Sequence, residues 1–191
     1  MAQKRVGRAR AAKALLLIDV INPFDFDGAA QLHRHALPAA KRILALREHA
    51  DRHHWPVIYV NDNFGHWRSD FRAIVDHCSS NGVGGGAIPR MLAPREGDFF
   101  VLKPRHSGFY LTPLELLLQN LEIQTVVLTG FAANICVLYT AVDAHMRGIK
   151  IIVPPDAVAA EQPRLTQFAL EEMKRGCHAD IRPTASLLRQ R

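Results

Sequence analysis

Three residues with complementary chemistry, Asp19, Lys103 and Cys136, lie far apart along the 191-residue chain. A thiolate is a strong nucleophile, a carboxylate can accept the thiol proton, and an ammonium group can hold the negative charges in place. Together they could attack a carbonyl carbon covalently without a histidine. Taken singly, they could be a turn cap, a surface lysine and a buried apolar residue. The elements that position them therefore decide whether they act together.

The segment around Cys136 combines a strand, a tight turn and a helix. The β-branched apolar run from Thr125 to Thr129 predicts a buried strand, and a helical pattern begins at about Ile135, after Gly130 and two alanines. Cys136 is therefore expected in the first helical turn, where unpaired N–H groups and the helix dipole favour an anion. A thiol at that position is expected to ionise more readily than an ordinary cysteine.

The rest of the chain alternates apolar strands with amphipathic helices. Each strand is hydrophobic almost throughout, which is typical of a parallel sheet covered on both faces. The strands are expected at 14–19, 56–61, 99–103, 125–129 and 150–153, with a short sixth at 179–182. The helices are expected at 37–53, 69–77, 112–121, 134–147 and 164–175. The predicted fold is α/β: a three-layer, Rossmann-like, doubly wound domain whose six-stranded, mostly parallel sheet is flanked by helices.

The predicted sheet brings the reactive residues to one edge. Ligands of such sheets bind beyond the carboxyl ends of the strands, and Asp19 ends the first strand, Lys103 ends the third, and Cys136 follows the fourth. Attack by the thiol would create an oxyanion, which needs two convergent donors. We expect these to be the backbone N–H groups of Cys136 and of Ala132 in the preceding turn. The small side chains of Ala132 and Ala133 would let a substrate approach the main chain.

Composition limits the class of protein. With 191 residues, of which 48% are hydrophobic, we expect one domain at 13–185 with basic, flexible tails at 1–12 and 186–191. Three irregularly spaced cysteines indicate neither a disulfide framework nor a paired metal site. The net charge of +6 is concentrated in the tails without interleaved aromatics, which argues against a nucleic-acid partner. The absence of a secretory signal and of a roughly 20-residue apolar run predicts a cytoplasmic protein with no membrane partner.

Three segments at the predicted strand ends together resemble a known family. The sequences LLIDVINPF at 16–24, KPRHSGF at 103–109 and TGFAANICV at 129–137 are similar to motifs of the isochorismatase-like cysteine hydrolase superfamily, which includes nicotinamidases, carbamoylsarcosine amidases and ureidoacrylate-type amidohydrolases. The resemblance implies a catalytic triad of Asp19, Lys103 and Cys136, a thioester intermediate, and a cis peptide bond between Phe131 and Ala132. It also implies a homodimer or homotetramer, and an apolar face on the 134–147 helix could form the contact.

One departure from the family concerns metal binding. Nicotinamidases carry an Asp-x-His pair after the second strand that contributes to a divalent metal site, whereas Asn63 and Gly65 fill those positions here. Asp62 and His66 could supply two ligands, but a zinc site needs about three. We therefore expect no metal and no other cofactor, and nicotinamidase activity is disfavoured.

Several aromatic residues in the loops after the strands are candidates for apolar walls of the pocket. Trp67 could equally cover the core or form a subunit contact. The glycine-rich segment 81–86 lacks the context of a phosphate-binding loop and is expected to be a surface loop. The expected substrate-binding residues are Phe24, Phe64, Trp67, Phe109 and Ala133.

These features together predict a metal-independent cysteine hydrolase. It would cleave an amide, ureido or similar C–N bond of a small-molecule substrate through a thioester. Isochorismatases cleave a vinyl ether and often lack the cysteine, so Cys136 favours amide chemistry. Two alternatives stay open: a vinyl-ether hydrolase acting on an isochorismate-like acid, and a non-catalytic binding module with the same fold.

Overall fold

The computed structural model describes residues 13–65, 70–80 and 83–189. These residues form six strands, at Lys13–Ile18 (β1), Val57–Asp62 (β2), Phe99–Lys103 (β3), Thr125–Phe131 (β4), Lys150–Ile152 (β5) and Val158–Ala159 (β6). The α-helices are Ala29–Arg52 (α1), Phe71–Ser80 (α2), Ala87–Met91 (α3), Leu114–Asn120 (α4), Leu138–Met146 (α5), Pro163–Gly176 (α6) and Thr184–Leu187 (α7). A 3-10 turn, Val83–Gly86, precedes α3, and a π-helical turn, Ala133–Val137, precedes α5.

All strand pairs in the described residues are parallel. The order across the sheet is β3-β2-β1-β4-β5, and β6 pairs with the carboxyl end of β4. The chain thus winds in one direction from β1 to β3 and resumes on the other side of β1 with β4. This arrangement confirms the predicted doubly wound α/β fold and puts the reversal of strand order between β1 and β4, where such sheets bind ligands.

The sheet is covered on both faces, as its continuous hydrophobic strands predict. Along β1 the side chains alternate between two buried clusters. Leu15 and Leu17 pack with the α1 side of the sheet. Ala14, Leu16 and Ile18 pack with the side that carries α4, α5 and α6. Both faces of β1 are therefore buried, up to its last residue at the carboxyl edge of the sheet.

The sixth strand was predicted in the wrong place. It is Val158–Ala159, whereas the segment 179–182 forms only an isolated bridge between Asp180 and Ile152. Two backbone hydrogen bonds flank that bridge, from Val153 N–H to the Asp180 carbonyl and from Asp180 N–H to the Ile151 carbonyl. The ladder stops there because the prolines at 154, 155 and 183 have no N–H to donate.

Other elements also differ from the sequence prediction. Helix α1 begins at Ala29, after Gly28, eight residues before the expected start at 37, and it continues through Pro38. The glycine-rich segment includes the 3-10 turn Val83–Gly86. None of the helices in the described part of the chain is long and apolar enough to cross a membrane.

The segment 184–187 packs against the domain, although a tail was expected from residue 186. Thr184 donates hydrogen bonds from its backbone N–H and its hydroxyl to Asp156 Oδ1, each at 2.9 Å. Leu187 is then fully buried against the α1 side of the sheet. The domain therefore reaches at least to Leu187. The expected tail at 1–12 lies outside the described residues.

Candidate active site

Asp19 follows β1 directly and is anchored at the carboxyl edge of the sheet. Its φ of 49° is left-handed, a conformation that aspartate tolerates better than most residues. Its backbone N–H donates to the Val60 carbonyl at 3.0 Å. Its side chain is 6% exposed, and Oδ1 accepts the Asp62 backbone N–H at 2.6 Å. The neighbouring strand β2 thus holds both the backbone and the carboxylate of Asp19.

Lys103 is the last residue of β3, and its side chain is fully buried. Its Nζ lies 2.8 Å from Asp19 Oδ2 and 3.5 Å from Cys136 Sγ. A second carboxylate, that of Asp62, places Oδ2 3.4 Å from the same nitrogen. The structure therefore brings Asp19 and Cys136 together at the ammonium group of Lys103 and adds a fourth residue, the charged Asp62.

Cys136 is half-buried and lies in the π-helical turn between β4 and α5. The backbone N–H groups of Ile135 and Val137 both donate to the Ala132 carbonyl, at 3.1 and 3.2 Å. The peptide bond between Phe131 and Ala132 is cis, at the position that the resemblance implies. A wider turn than an α-helical one thus links the end of β4 to the thiol.

Gly130 allows the strand that leads to this turn to lie close to β1. Its φ is 111°, and a Cβ atom at this position would lie 2.0 Å from the Ile18 carbonyl oxygen. Any other residue would clash with backbone rather than with a flexible side chain. Gly130 is therefore required by the close packing of β4 against β1, immediately before the turn that carries Cys136.

Burial controls the ionisation of the acidic and thiol groups. It raises the pKa of Asp19, although the Lys103 ammonium, the Cys136 thiol and the Asp62 N–H offset part of the increase. Burial and then the negative charge of Asp19 raise the pKa of the Cys136 thiol, against the smaller opposing effect of Lys103. The expectation that this thiol ionises more readily is therefore wrong, because desolvation and the carboxylate outweigh the helix terminus.

Lys103 stays an ammonium group in this setting. Burial alone would lower its pKa, but the Asp19 carboxylate, together with Cys136 and Asp62 nearby, raises it above the ordinary lysine value. The resting site thus contains a protonated thiol next to a carboxylate and a fixed cation. Such an arrangement suits proton transfer during attack rather than a thiolate formed in advance.

Two polar residues that the sequence analysis missed fix the surrounding loops. The Thr140 hydroxyl donates to the Cys136 carbonyl at 2.6 Å and accepts the Gly108 N–H at 2.9 Å, so it joins the loop after β3 to the turn of the thiol. The Asn61 side chain exchanges two hydrogen bonds with the backbone of Ile21, which holds the loop after β1. Hydropathy patterns do not reveal such bonds, because they depend on which loops meet in space.

Two of the expected substrate-binding residues, Phe24 and Phe109, are almost completely buried. Phe24 is 1% exposed, and its ring centroid lies 6.3 Å from that of Phe131 and 5.2 Å from that of His33. Phe109 is 5% exposed, with the guanidinium of Arg147 4.7 Å from its ring centroid.

The remaining candidates lie in the turn and in the loop after β2. Ala133 is fully buried in the π-helical turn. Phe64 is partly buried and has a φ of 49°. Trp67 lies outside the described residues.

The loop after β2 uses its polar side chains internally. Asp62 Oδ1 accepts the Phe64 N–H at 2.8 Å, and Asn63 Oδ1 accepts the Gly65 N–H at 3.0 Å. Within the described residues, no group of three or more His, Cys, Asp or Glu side chains could hold a metal ion. His66 lies outside that set.

Comparison with known proteins gives consistent matches. The Isochorismatase domain family matches residues 13–185. The uncharacterized isochorismatase family protein YaaI of Bacillus subtilis is 40% identical over 173 residues, covering 91% of this chain and 94% of YaaI. The ureidoacrylate amidohydrolase RutB of Methylorubrum extorquens is 42% identical over 89 residues, covering 46% of this chain and 36% of RutB. The crystal structure of N-carbamoylsarcosine amidase from Thermoplasma acidophilum superposes with a TM-score of 0.68 at 29% identity, covering 91% and 97% of the two chains.

Proposed function

Because this chain belongs to the isochorismatase family of hydrolases, we propose that it is a cysteine hydrolase that cleaves an amide, ureido or similar C–N bond of a small molecule. The named activities of two similar proteins, a ureidoacrylate amidohydrolase and a carbamoylsarcosine amidase, support this bond class. The observation that carries the proposal is the position of Lys103 Nζ, 2.8 Å from Asp19 and 3.5 Å from Cys136. A base, a fixed cation and a nucleophile are thereby in contact.

The first half of the proposed reaction forms a thioester. Cys136 Sγ attacks the carbonyl carbon while its proton passes to Asp19, and the carbonyl π electrons move onto oxygen. The tetrahedral oxyanion then collapses, the C–N bond breaks, and Asp19 gives the proton to the leaving nitrogen. The raised pKa of Asp19 suits this exchange, because the carboxyl group must both take and return a proton.

The second half returns the enzyme to its starting state. Water attacks the thioester carbon while Asp19 accepts a proton from it, and collapse of the second oxyanion breaks the C–S bond. The sulfur regains the proton as it leaves. Lys103 keeps its charge throughout, and its ammonium stabilises the negative charge as it moves between Asp19 and sulfur.

We assign the oxyanion to the turn between β4 and α5. The proposed donors are the backbone N–H groups of Ala132 and Cys136. Support comes from the π-helical turn, which folds the main chain closely around the residue that carries the nucleophile. The side chain of Ala132 is small and only partly buried, which suits the approach of a carbonyl oxygen to its backbone N–H.

The proposal is tested with a panel of small primary amides and ureides, measured by release of ammonia. We expect turnover by the unmodified protein and none by Cys136→Ala, with both proteins equally folded by circular dichroism. Cys177→Ala is the matched control, because Cys177 is buried near the first residues of β1, β4 and β5, at the opposite edge of the sheet from Asp19 and Lys103. Turnover that survives in Cys136→Ala would contradict the thioester route. Absence of turnover together with an unreactive Cys136 thiol would favour a binding module.

A further inference from the structure

We propose that Asp62 is a positioning residue for the reactive cluster, holding Asp19 through its backbone and Lys103 through its side chain. This inference deepens the proposed function and rests on it. Asp62 ends β2 and is the register partner of Lys103 at the end of β3. Strand pairing therefore fixes the two residues side by side, so their contact does not depend on a loop.

The backbone of Asp62 orients the proposed base. Its N–H donates to Asp19 Oδ1 at 2.6 Å, while Lys103 Nζ contacts Oδ2 at 2.8 Å. The two oxygens of Asp19 thus have different partners on different strands. These two contacts restrict rotation of the Asp19 carboxylate and so fix its orientation relative to the thiol.

The side chain of Asp62 completes the surroundings of the ammonium group. A lysine ammonium has three N–H donors, and Lys103 Nζ has three acceptors nearby, at 2.8 Å in Asp19, 3.4 Å in Asp62 and 3.5 Å in Cys136. The other oxygen of Asp62 accepts the Phe64 N–H at 2.8 Å, which keeps the carboxylate turned toward the lysine. Asp62 is more exposed than the other two charged groups, with 28% of its side chain accessible against 6% for Asp19 and 0% for Lys103.

Asp62 also sets the charge of the cluster. Two carboxylates and one ammonium give one net negative charge while the thiol is protonated. The negative charge of Asp62 opposes the formation of a thiolate at Cys136, which would be a third anion in the cluster. It also shares with Asp19 the attraction of the Lys103 ammonium. Removing it should make both the carboxyl group of Asp19 and the thiol of Cys136 more acidic.

The test variant is Asp62→Asn. It keeps the backbone N–H to Asp19 and an oxygen for the Phe64 N–H, and it replaces the carboxylate oxygen that faces Lys103 with a neutral NH2 group. The control is Asp76→Asn, an identical change at an exposed position on α2. Asp62→Ser is a second neutral variant that guards against an effect specific to the new amide.

Two measurements are made on each variant of the full chain. The first is the pH dependence of Cys136 alkylation by iodoacetamide, read by peptide mass spectrometry. The second is the pH profile of kcat on an amide or ureide that the unmodified protein hydrolyses. In Asp62→Asn and Asp62→Ser we expect both midpoints to move to lower pH. We expect kcat to fall by about ten- to a hundredfold, by analogy with the loss found when a partner that orients a metal-binding side chain is removed. Asp76→Asn should change neither.

The outcomes separate the two proposals. Unchanged alkylation midpoints in both neutral variants would overturn the role of Asp62. A shifted alkylation midpoint in a protein that hydrolyses none of the amides or ureides would support Asp62 and overturn the proposed function. A uniform fall in kcat with no change in either midpoint would show a merely structural effect and would also overturn the inference.

Discussion

The Lys103 ammonium and the Asp19 carboxylate form an ion pair, 2.8 Å apart, in which neither side chain is more than 6% exposed. Separating the two charges would leave each one buried without a partner, at a large desolvation penalty. Burial therefore favours the paired arrangement. The two residues stand at the ends of β3 and β1, on either side of β2. Their contact thus bridges the strand that lies between them.

Replacing Lys103 with Met should destabilise the fold as well as abolish activity. The change leaves the Asp19 carboxylate buried without its partner, and breaking a buried pair in this way costs about 3 to 5 kcal/mol. Urea unfolding followed by circular dichroism measures the difference. The control is Arg95→Met, which breaks the exposed pair with Asp51 and should cost less than about 1 kcal/mol. Equal losses in the two variants would contradict a buried, tightly held pair.

At low pH, the loss of hydrolysis should follow the protonation of Asp19. Asp19 must be ionised to accept the thiol proton, so activity is present above its pKa and is lost as the pH falls through it. Burial raises that pKa, so the loss should be centred above the ordinary aspartate value of about 3.9. The pKa values of Lys103 and Cys136 are both raised, so kcat should stay level up to about pH 9. A decline in kcat between pH 7 and 9 would count against these assignments.

Alkylation by iodoacetamide should distinguish Cys136 from the other two cysteines. Cys136 is half-buried, whereas Cys78 and Cys177 are buried in the two packed clusters. We therefore expect Cys136 to react first in the native protein, with a midpoint above the ordinary cysteine value of about 8.5, since burial and Asp19 raise its pKa. Peptide mass spectrometry over a pH series measures all three sites at once. A midpoint below 8.5 would show a thiolate formed in advance and would contradict the resting state described above.

Gly130→Ala should be strongly destabilising. Its added Cβ would lie 2.0 Å from the Ile18 carbonyl oxygen, so β4 and β1 would have to separate, at a cost of about 3 kcal/mol or more. Gly148→Ala is the matched control, because Gly148 also has a positive φ, of 72°, but nothing lies within 4 Å of its added Cβ. That control should cost only about 1 to 2 kcal/mol. Thermal unfolding measures both, and a similar loss in each would show that backbone strain alone matters at Gly130.

Thr140→Val should affect both stability and turnover. It removes the hydroxyl that joins the Cys136 carbonyl to the Gly108 N–H and leaves those groups unpaired, at a cost of about 1 to 3 kcal/mol. Thr166→Val removes a hydroxyl that accepts the Ala160 N–H at 3.0 Å, on the side of α6, and serves as the control. We expect kcat to fall in Thr140→Val and to stay unchanged in Thr166→Val. An unchanged kcat in both would show that the link between the loop and the turn has no role in catalysis.

The sequence predicts where Asp19, Lys103 and Cys136 lie in the fold, because their positions follow from strand ends. Continuous hydrophobic runs locate β1, β3 and β4, and the residue at or after the carboxyl end of such a run must reach the same edge of a parallel sheet. Asp19 and Lys103 are identified in this way, and Cys136 follows through the short turn after β4. The contact distances depend on register, which hydropathy does not specify.

Other features could not be predicted, for physical reasons. Val158–Ala159 is too short for a periodic signal, and the bounds of β5 depend on prolines that remove donors. The acidity of Cys136 depends on burial by distant segments and on the nearby charge of Asp19, so its position in a helical turn gave the wrong direction. The contact of Asp62 with Lys103 requires the pairing of β2 with β3, which local sequence does not encode.

The pairing of Asp62 with Lys103 in adjacent strands has an evolutionary consequence. Three of the four groups in the reactive cluster stand on the sheet itself or on the residue after a strand, and the fourth follows β4 by a single turn. The longer connections between elements, such as the one from β2 to α2, carry none of these groups. Insertions, deletions and substitutions in those connections can therefore reshape what enters the pocket without disturbing the atoms that react. Such a fold can acquire new substrates through sequence changes in its loops, while the residues at the strand ends keep the same chemistry.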